Sequence, residues 1–365
     1  MSSGNVKSLL VAAFSLLILI LPNALFSQEH SKKEEGKFNP GELIMEHISD
    51  DHYYHLFDWK GHPVSLPLPV IVYSPQKGVS TFLSSKFEHG HADYNGYRLQ
   101  HNHVLAVNAD GKVDESVKVY DFSLTKNVVQ MLLALVVLVW IMISVASKYR
   151  KNGSTVAPSG LQNAIEPVIT FIRDEVAIVN LRHKHKKYMP FLLTIFFFIL
   201  INNIFGLVPG IANVTGNIAF TMVLAFISML VILFSTTRHF WGHIFWPPGV
   251  PFLVKLILIP VEFAGIFIKP MALMIRLFAN MVAGHIVITC FIMLIFIFGG
   301  MSNVAGLGFS PISILFTVFI YFIEILVAFI QAFIFTNLTA VFIGQAMEGD
   351  HGHEDADGHH DPVTI

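Results

Sequence analysis

The chain has 365 residues, of which 54% are hydrophobic and 13% charged, and a formal net charge of −2. That composition indicates a multi-span membrane protein, and the near-neutral balance argues for neither a nucleic acid nor an acidic substrate. The one cysteine, Cys290, excludes an intramolecular disulfide framework and a Cys-based zinc site, and lying in an apolar run it is expected to be packed.

Residues 1–27 carry Lys7, the apolar run Leu9–Leu21, Pro22 and a small residue at Ser27. They read as a secretory signal peptide, with an uncleaved anchor as the alternative; either way the following segment begins outside the membrane. Residues 28–122 are polar and rich in turn formers, and predict a small β-rich extramembrane domain. His62–Tyr73 is extended between prolines, and Val113–Phe122 alternates. His89, His91, His101 and His103 lie in a Gly/Asn-rich stretch without ligand spacing, so no metal site is assigned to them.

A membrane domain is expected over 123–347, giving an all-α polytopic protein with five passes near 128–146, 188–208, 217–237, 251–299 and 310–342. The first pass ends in Lys148, Arg150 and Lys151, which places that end in the cytoplasm. Residues 161–181 have the spacing of an amphipathic helix at the inner surface and run into the basic cluster Arg182–Lys187. Asn202 and Asn203 fall near the outer end of the second pass. The tail 348–365 is acidic and His-rich, and is expected to be a mobile cytoplasmic segment.

The last two passes are too long to stand upright in a hydrocarbon core of roughly 30 Å, so they are expected to form a tilted or kinked hairpin through the loop Gly299–Phe309. The first bears Lys255, Glu262, Lys269 and Arg276 at intervals of seven, one drifting stripe on a helix. The second bears Glu324 and Gln331 at the same interval. Counted from the loop, His285 comes level with Glu324 and Arg276 nearly level with Gln331. Ionisable groups at such depth mark ion pathways, although Lys255 and Lys269 are also read as snorkelling. No phosphate loop, metal-binding helix motif or nucleophile elbow is present, so the chain lacks ATPase or hydrolase chemistry of its own, and no cofactor is expected.

The run Lys269-Pro-Met-Ala-Leu-Met-Ile-Arg276-Leu-Phe-Ala-Asn280-Met281 closely resembles the signature of the a subunit of F-type ATP synthases. Gln331-Ala-Phe-Ile-Phe335 and Leu193-Thr-Ile-Phe196 resemble the same family, over about residues 124–347. His285 and Glu324 stand exchanged relative to the best-known bacterial pattern, and Gly206 stands where some members carry a carboxylate. The resemblance implies a stator subunit in a bacterial inner membrane, with its N-terminus outside and C-terminus inside. It would contact a ring of c subunits and b-type peripheral stalk subunits, and pass protons, or Na⁺, through two offset half-channels. On that reading Arg276 faces the ring, with Asn280 and Gln331 beside it. His285 and Glu324 serve the outer half-channel and Glu262 the inner one. A stand-alone secondary transporter and a non-conducting docking subunit are the competing readings. The first lacks the expected internal repeats, and the second has no reason to bury three ionisable groups.

Overall fold

A computed structural model describes residues 50–59, 62–100, 102–108, 112–114, 117–153, 157–208, 211–246 and 251–347, so the expectations for residues 1–27 and the tail 348–365 lie outside the described residues. The chain forms two compact units. The first takes Met1–Ala134, Asn202–Val214 and Gly284–Tyr321, and the second takes Leu135–Ile201, Thr215–Ala283 and Phe322–Ile365.

Among the described residues, the first unit holds seven short strands: β1 (Tyr53–Trp59), β2 (His62–Pro67), β3 (Pro69–Ser74), β4 (Gly78–Leu83), β5 (Tyr97–Gln100), β6 (His103–Ala106) and β7 (Tyr120–Asp121). They pair antiparallel as β1–β2, β4–β3–β7 and β5–β6. Strand periodicity turns Val70 and Val72 inward and Tyr73 outward, and the inward residues meet Phe87, Tyr97, Leu99 and Val104 in one small core. The alternating stretch Val113–Phe122 pairs as a strand only at Tyr120–Asp121, with an isolated bridge from Val113 to Val107.

Helix α1 (Lys126–Asn152) begins where this strand-rich segment ends. Its first amides are satisfied by residues far back in the chain: Lys126 N–H donates to the Asp51 carbonyl at 2.9 Å and Asn127 N–H to Asp50 Oδ1 at 3.2 Å. A helix start must find such acceptors, and here the β segment supplies them.

Helix α2 (Leu161–Phe171) continues through a π-helical stretch, Ile172–Ile178, to Leu181. The chain then breaks at Arg182, which adopts a positive φ of 47°, and α3 runs His185–Leu207. The wider turn over Ile172–Ile178 is absent from the sequence pattern, which cannot register one extra residue per turn. Helix α4 (Ile218–Phe234) is capped by Asn217, whose side chain accepts from Ala219 N–H. A short α5 (Arg238–Phe245) is capped by Thr237 in the same way.

The long pair is α6 (Phe252–Met301) and α7 (Asn303–Met347), with α6 unbroken through Pro260 and Pro270. At about 1.5 Å per residue they reach roughly 75 and 68 Å, more than twice a hydrocarbon core. The expected loop Gly299–Phe309 is helical except for Ser302. Glycine permits a loop without requiring one, and Gly306 instead packs so tightly on Gly299 that a Cβ there would meet its Cα at 2.7 Å. Phe298 stacks on Phe309 at 3.9 Å and Phe291 on Phe316 at 5.5 Å, while the Ser313 hydroxyl donates to the Phe291 carbonyl. The turn thus falls at Ser302, with His285 17 residues before it and Glu324 22 after.

In the strand-rich segment, Asp121 Oδ2 meets His52 Nε2 at 2.8 Å, and Ser123 N–H donates to Oδ1 at 2.9 Å. Burial alone would raise the Asp121 carboxyl, but these bonds and the His52 charge together hold it below its ordinary range. A depressed carboxylate adds stability above its unfolded pKa and loses it as pH falls through the lower folded value. Asp121→Asn is therefore expected to speed amide exchange in β3 and β7 at pH 7. The difference from the parent should shrink as pH falls below about 4.

Candidate functional site

In the second unit, the heptad stripe of α6 changes character along its length. Lys255 is buried, with Nζ 4.1 Å from the Trp246 ring centre, a cation–π contact. Glu262 is half-buried. Lys269 is exposed, donates to Gln345 Oε1 at 3.1 Å and lies 4.9 Å from the Phe342 ring centre. Arg276 is exposed as well. A strict seven-residue interval drifts by about 20° per heptad on a straight helix, which carries the stripe from a buried face to an open one.

Arg276 stands on that open face among Ala272, Ile275, Ala279 and Ala283, all exposed, with Asn280 half-buried one turn further on. Among the described residues it makes no ion pair and no hydrogen bond. It is not hydrogen-bonded to Asn280 or Gln331, which were expected beside it. The guanidinium is thus a fixed cation on an apolar helix face with small residues around it.

Glu324 and Gln331 take the opposite position on α7. Both are buried, at 8% and 5% exposure, in a stripe with Ala328, Ala332, Thr336 and Thr339. The two threonines return their hydroxyls to the carbonyls of Ala332 and Phe335 at 2.8 Å, so they add no free polarity. Glu324 Oε2 is enclosed without an acceptor or donor among the described residues. A buried carboxyl in that state is either protonated or hydrated.

What fixes α7 in this unit is contact with α2 and α3. Phe329 meets Phe171 at 6.4 Å and Phe196 at 5.6 Å, and Phe333 meets Phe171 at 5.3 Å. Asn180 Nδ2 donates to Asn337 Oδ1 at 3.0 Å, and also to the Val176 carbonyl at 2.8 Å inside the π-helical stretch. Gly344 lies directly against the Asn180 carbonyl oxygen.

In the first unit, His285 is half-buried on α6 and lies within electrostatic reach of Lys126 at the start of α1. Thr289 donates to the His285 carbonyl at 2.8 Å. Asn202 and Asn203 are fully buried on α3. The space a side chain at Gly206 would need is taken by Asn213, whose Oδ1 lies 2.8 Å from the Cβ position. An amide from the following loop therefore stands where a carboxylate would point. Cys290 proves exposed, because a membrane helix keeps apolar residues on its outward face too.

Sequence reasoning missed Asn180, Asn337, Asn213 and Gln130. Gln130 carried a signal, being an isolated amide in the apolar run of α1, where polar side chains tend to face the interior. Of the other three, Asn180 lies near a helix end and Asn213 in a loop, where polar residues are ordinary, while Asn337 lies within α7.

The family model of the ATP synthase A chain matches residues 128–344, and a second model, a domain of unknown function, matches residues 43–122. The ATP synthase subunit a of Chloroherpeton thalassium is 47% identical over 246 residues, covering 66% of this chain and 71% of the relative. That of Pelodictyon phaeoclathratiforme is 43% identical over 247 residues, with 66% and 71% covered. The ATP synthase subunit a 2 of Chlorobaculum tepidum is 39% identical over 245 residues, with 66% and 67% covered.

The contact of Gly344 with Asn180 allows a stability test. A methyl group there has only backbone to displace, so Gly344→Ala is expected to destabilise by about 1–3 kcal/mol. Thermal unfolding of the purified protein in detergent should show a lower midpoint, and an unchanged midpoint would mean that α2 and α7 separate without cost.

Proposed function

We propose how this chain works from the fact that it belongs to the ATP synthase A chain family. As such it is the non-catalytic, multi-pass stator subunit of the proton channel of the F-type ATP synthase. On our reading it crosses the bacterial inner membrane five times, through α1, α3, α4, α6 and α7, with its N-terminus outside and its C-terminus in the cytoplasm. The basic ends Arg150–Lys151 and Arg182–Lys187 support that orientation. Four of these helices, with α2 joined to α3, are long and apolar enough to cross, and α4 is shorter at 17 residues.

The observation that carries the mechanism is Arg276, exposed on an apolar face and without an acidic neighbour among the described residues. A charge inside a membrane costs roughly 2.5–3.5 kcal/mol on insertion scales, so an unpaired one implies a counter-charge from elsewhere. A c-ring subunit supplies it as a membrane-buried carboxylate. The alanines beside Arg276 leave room for a second helix to approach closely. A guanidinium keeps its proton under all cellular conditions, so it holds each arriving carboxylate ionised and cannot itself relay protons. Protons must therefore leave the ring on one side of Arg276 and join it on the other.

Two offset half-channels follow. The outer one uses His285 and Glu324, an imidazole and a carboxyl, side chains of the types that serve as proton carriers. Gln331 and Asn280 serve it near the Arg276 level, and Glu262, about 21 Å along α6 from Arg276, serves the inner one. The enclosed, unmatched Glu324 Oε2 supports a hydrated position for that carboxyl. H⁺ is the ion on this reading, with the ring's own site deciding between H⁺ and Na⁺. The b-type stalk holds the subunit against the torque of the ring.

Arg276→Ala is expected to abolish ATP-driven proton pumping in vesicles containing the assembled complex, and Arg276→Lys to fail too, because a desolvated ammonium can release its proton. Normal pumping by the Ala variant would sink this reading. His285→Ala and Glu324→Ala should each slow pumping at least tenfold, as loss of a positioned proton carrier typically costs 10² or more. The double exchange His285→Glu with Glu324→His should recover part of the rate, and no recovery would separate the two roles.

A further inference from the structure

We infer that the strand-rich N-terminal segment forms part of the outer half-channel, with Tyr54 and Gln130 as its hydrated outer end. This rests on the stator reading above and adds two residues and a second domain to it.

The geometry begins at Tyr54 on β1. Its hydroxyl accepts from the Ala212 backbone amide and donates to Gln130 Oε1 at 2.8 Å. With both bonds made, the hydroxyl proton has one direction, and the Gln130 amide is held with its oxygen toward Tyr54. Burial comes first in raising the Tyr54 phenol above its ordinary range, so the hydroxyl stays protonated and remains a donor.

Gln130 is wholly buried, and its Nε2 has no acceptor among the described residues. A primary amide donor enclosed without a partner is costly, and an ordered water is the usual remedy. That water would lie on the side of Gln130 away from Tyr54. Lys126 is four residues earlier on α1, one turn away on the same face, and it lies within electrostatic reach of His285. Tyr54, Gln130, Lys126 and His285 thus mark a polar series from a strand of the outer segment to the first proton carrier. Asn202 and Asn203, fully buried in the same unit, add amides that can hold further waters.

A simple docking contact would look different. Docking needs area and satisfied bonds, and the segment already has these through Asp50 and Asp51 at the start of α1. It does not need an amide buried with its donor unmatched. Lys126 adds a second effect: a fixed positive charge beside the path repels hydronium and favours its passage by relay through water and His285.

Vesicles carrying the full complex test this in three arms. With the catalytic head stripped, Tyr54→Phe should lower passive proton conduction about three- to tenfold at unchanged complex content, the scale of one lost hydrogen bond. Conduction equal to the parent would overturn the inference. In a Cys290→Ser background, Gln130→Cys should be blocked within seconds by Ag⁺ added to right-side-out vesicles. A variant that conducts and stays insensitive to Ag⁺ would also overturn it, and a purely structural role predicts that insensitivity. Arg276→Ala is the third arm. If it pumps normally, the stator reading itself has failed. If it is dead while Tyr54→Phe and Gln130→Cys behave as the parent, only the outer-segment role has failed.

Discussion

On the proposed mechanism, the constraint on which the rest depends is a guanidinium that keeps its proton, Arg276, set on an exposed apolar helix face. Among the described residues Arg276 pairs with no acid. On the mechanism proposed above, a carboxylate from a moving partner completes it: each carboxylate is held ionised as it passes, and no proton crosses at that level. On the same proposal, pairing Arg276 within the chain would stabilise the fold and end the function.

The rest of the described structure can be understood as holding that face still. Helix α7 is held against α2 and α3 through three aromatic contacts and the Asn180–Asn337 bond, and buries Glu324 and Gln331 on another face. The π-helical stretch over Ile172–Ile178 leaves the Val176 carbonyl available to accept from Asn180 as well. Polar groups within a membrane are affordable only when placed by rigid neighbours, and here the amides of Asn180 and Asn337 satisfy each other while Glu324 keeps an oxygen unmatched.

The strand-rich segment enters the same logic from the opposite side. Asp50 and Asp51 accept the first amides of α1, and Tyr54 reaches Gln130 one turn in. A helix start that relies on residues more than seventy positions earlier is not an independent element. The segment and the first turns of α1 belong to one compact unit, which is why a feature outside the family match can bear on a residue inside it.

Much of the membrane region was legible in the residues alone. A guanidinium deep in an apolar run, and Glu324 and Gln331 two turns apart, are one-dimensional facts, because helical periodicity converts spacing directly into a shared face. The motif around Arg276 carried the family for the same reason: it is contiguous. Pairings across long intervals were not legible. Tyr54 with Gln130, Asn180 with Asn337 and Asn213 beneath Gly206 join residues whose separation encodes nothing about their distance. The single-residue turn at Ser302 belongs with them, since glycines near Phe298 allow either a loop or two helices in close contact, and only the stacking of Phe298 on Phe309 decides. Exposure was the last quantity left to tertiary structure. In water an apolar surrounding implies burial, but a membrane solvates apolar faces, so whether Cys290 and Arg276 point inward or outward is settled by which helices pack beside them.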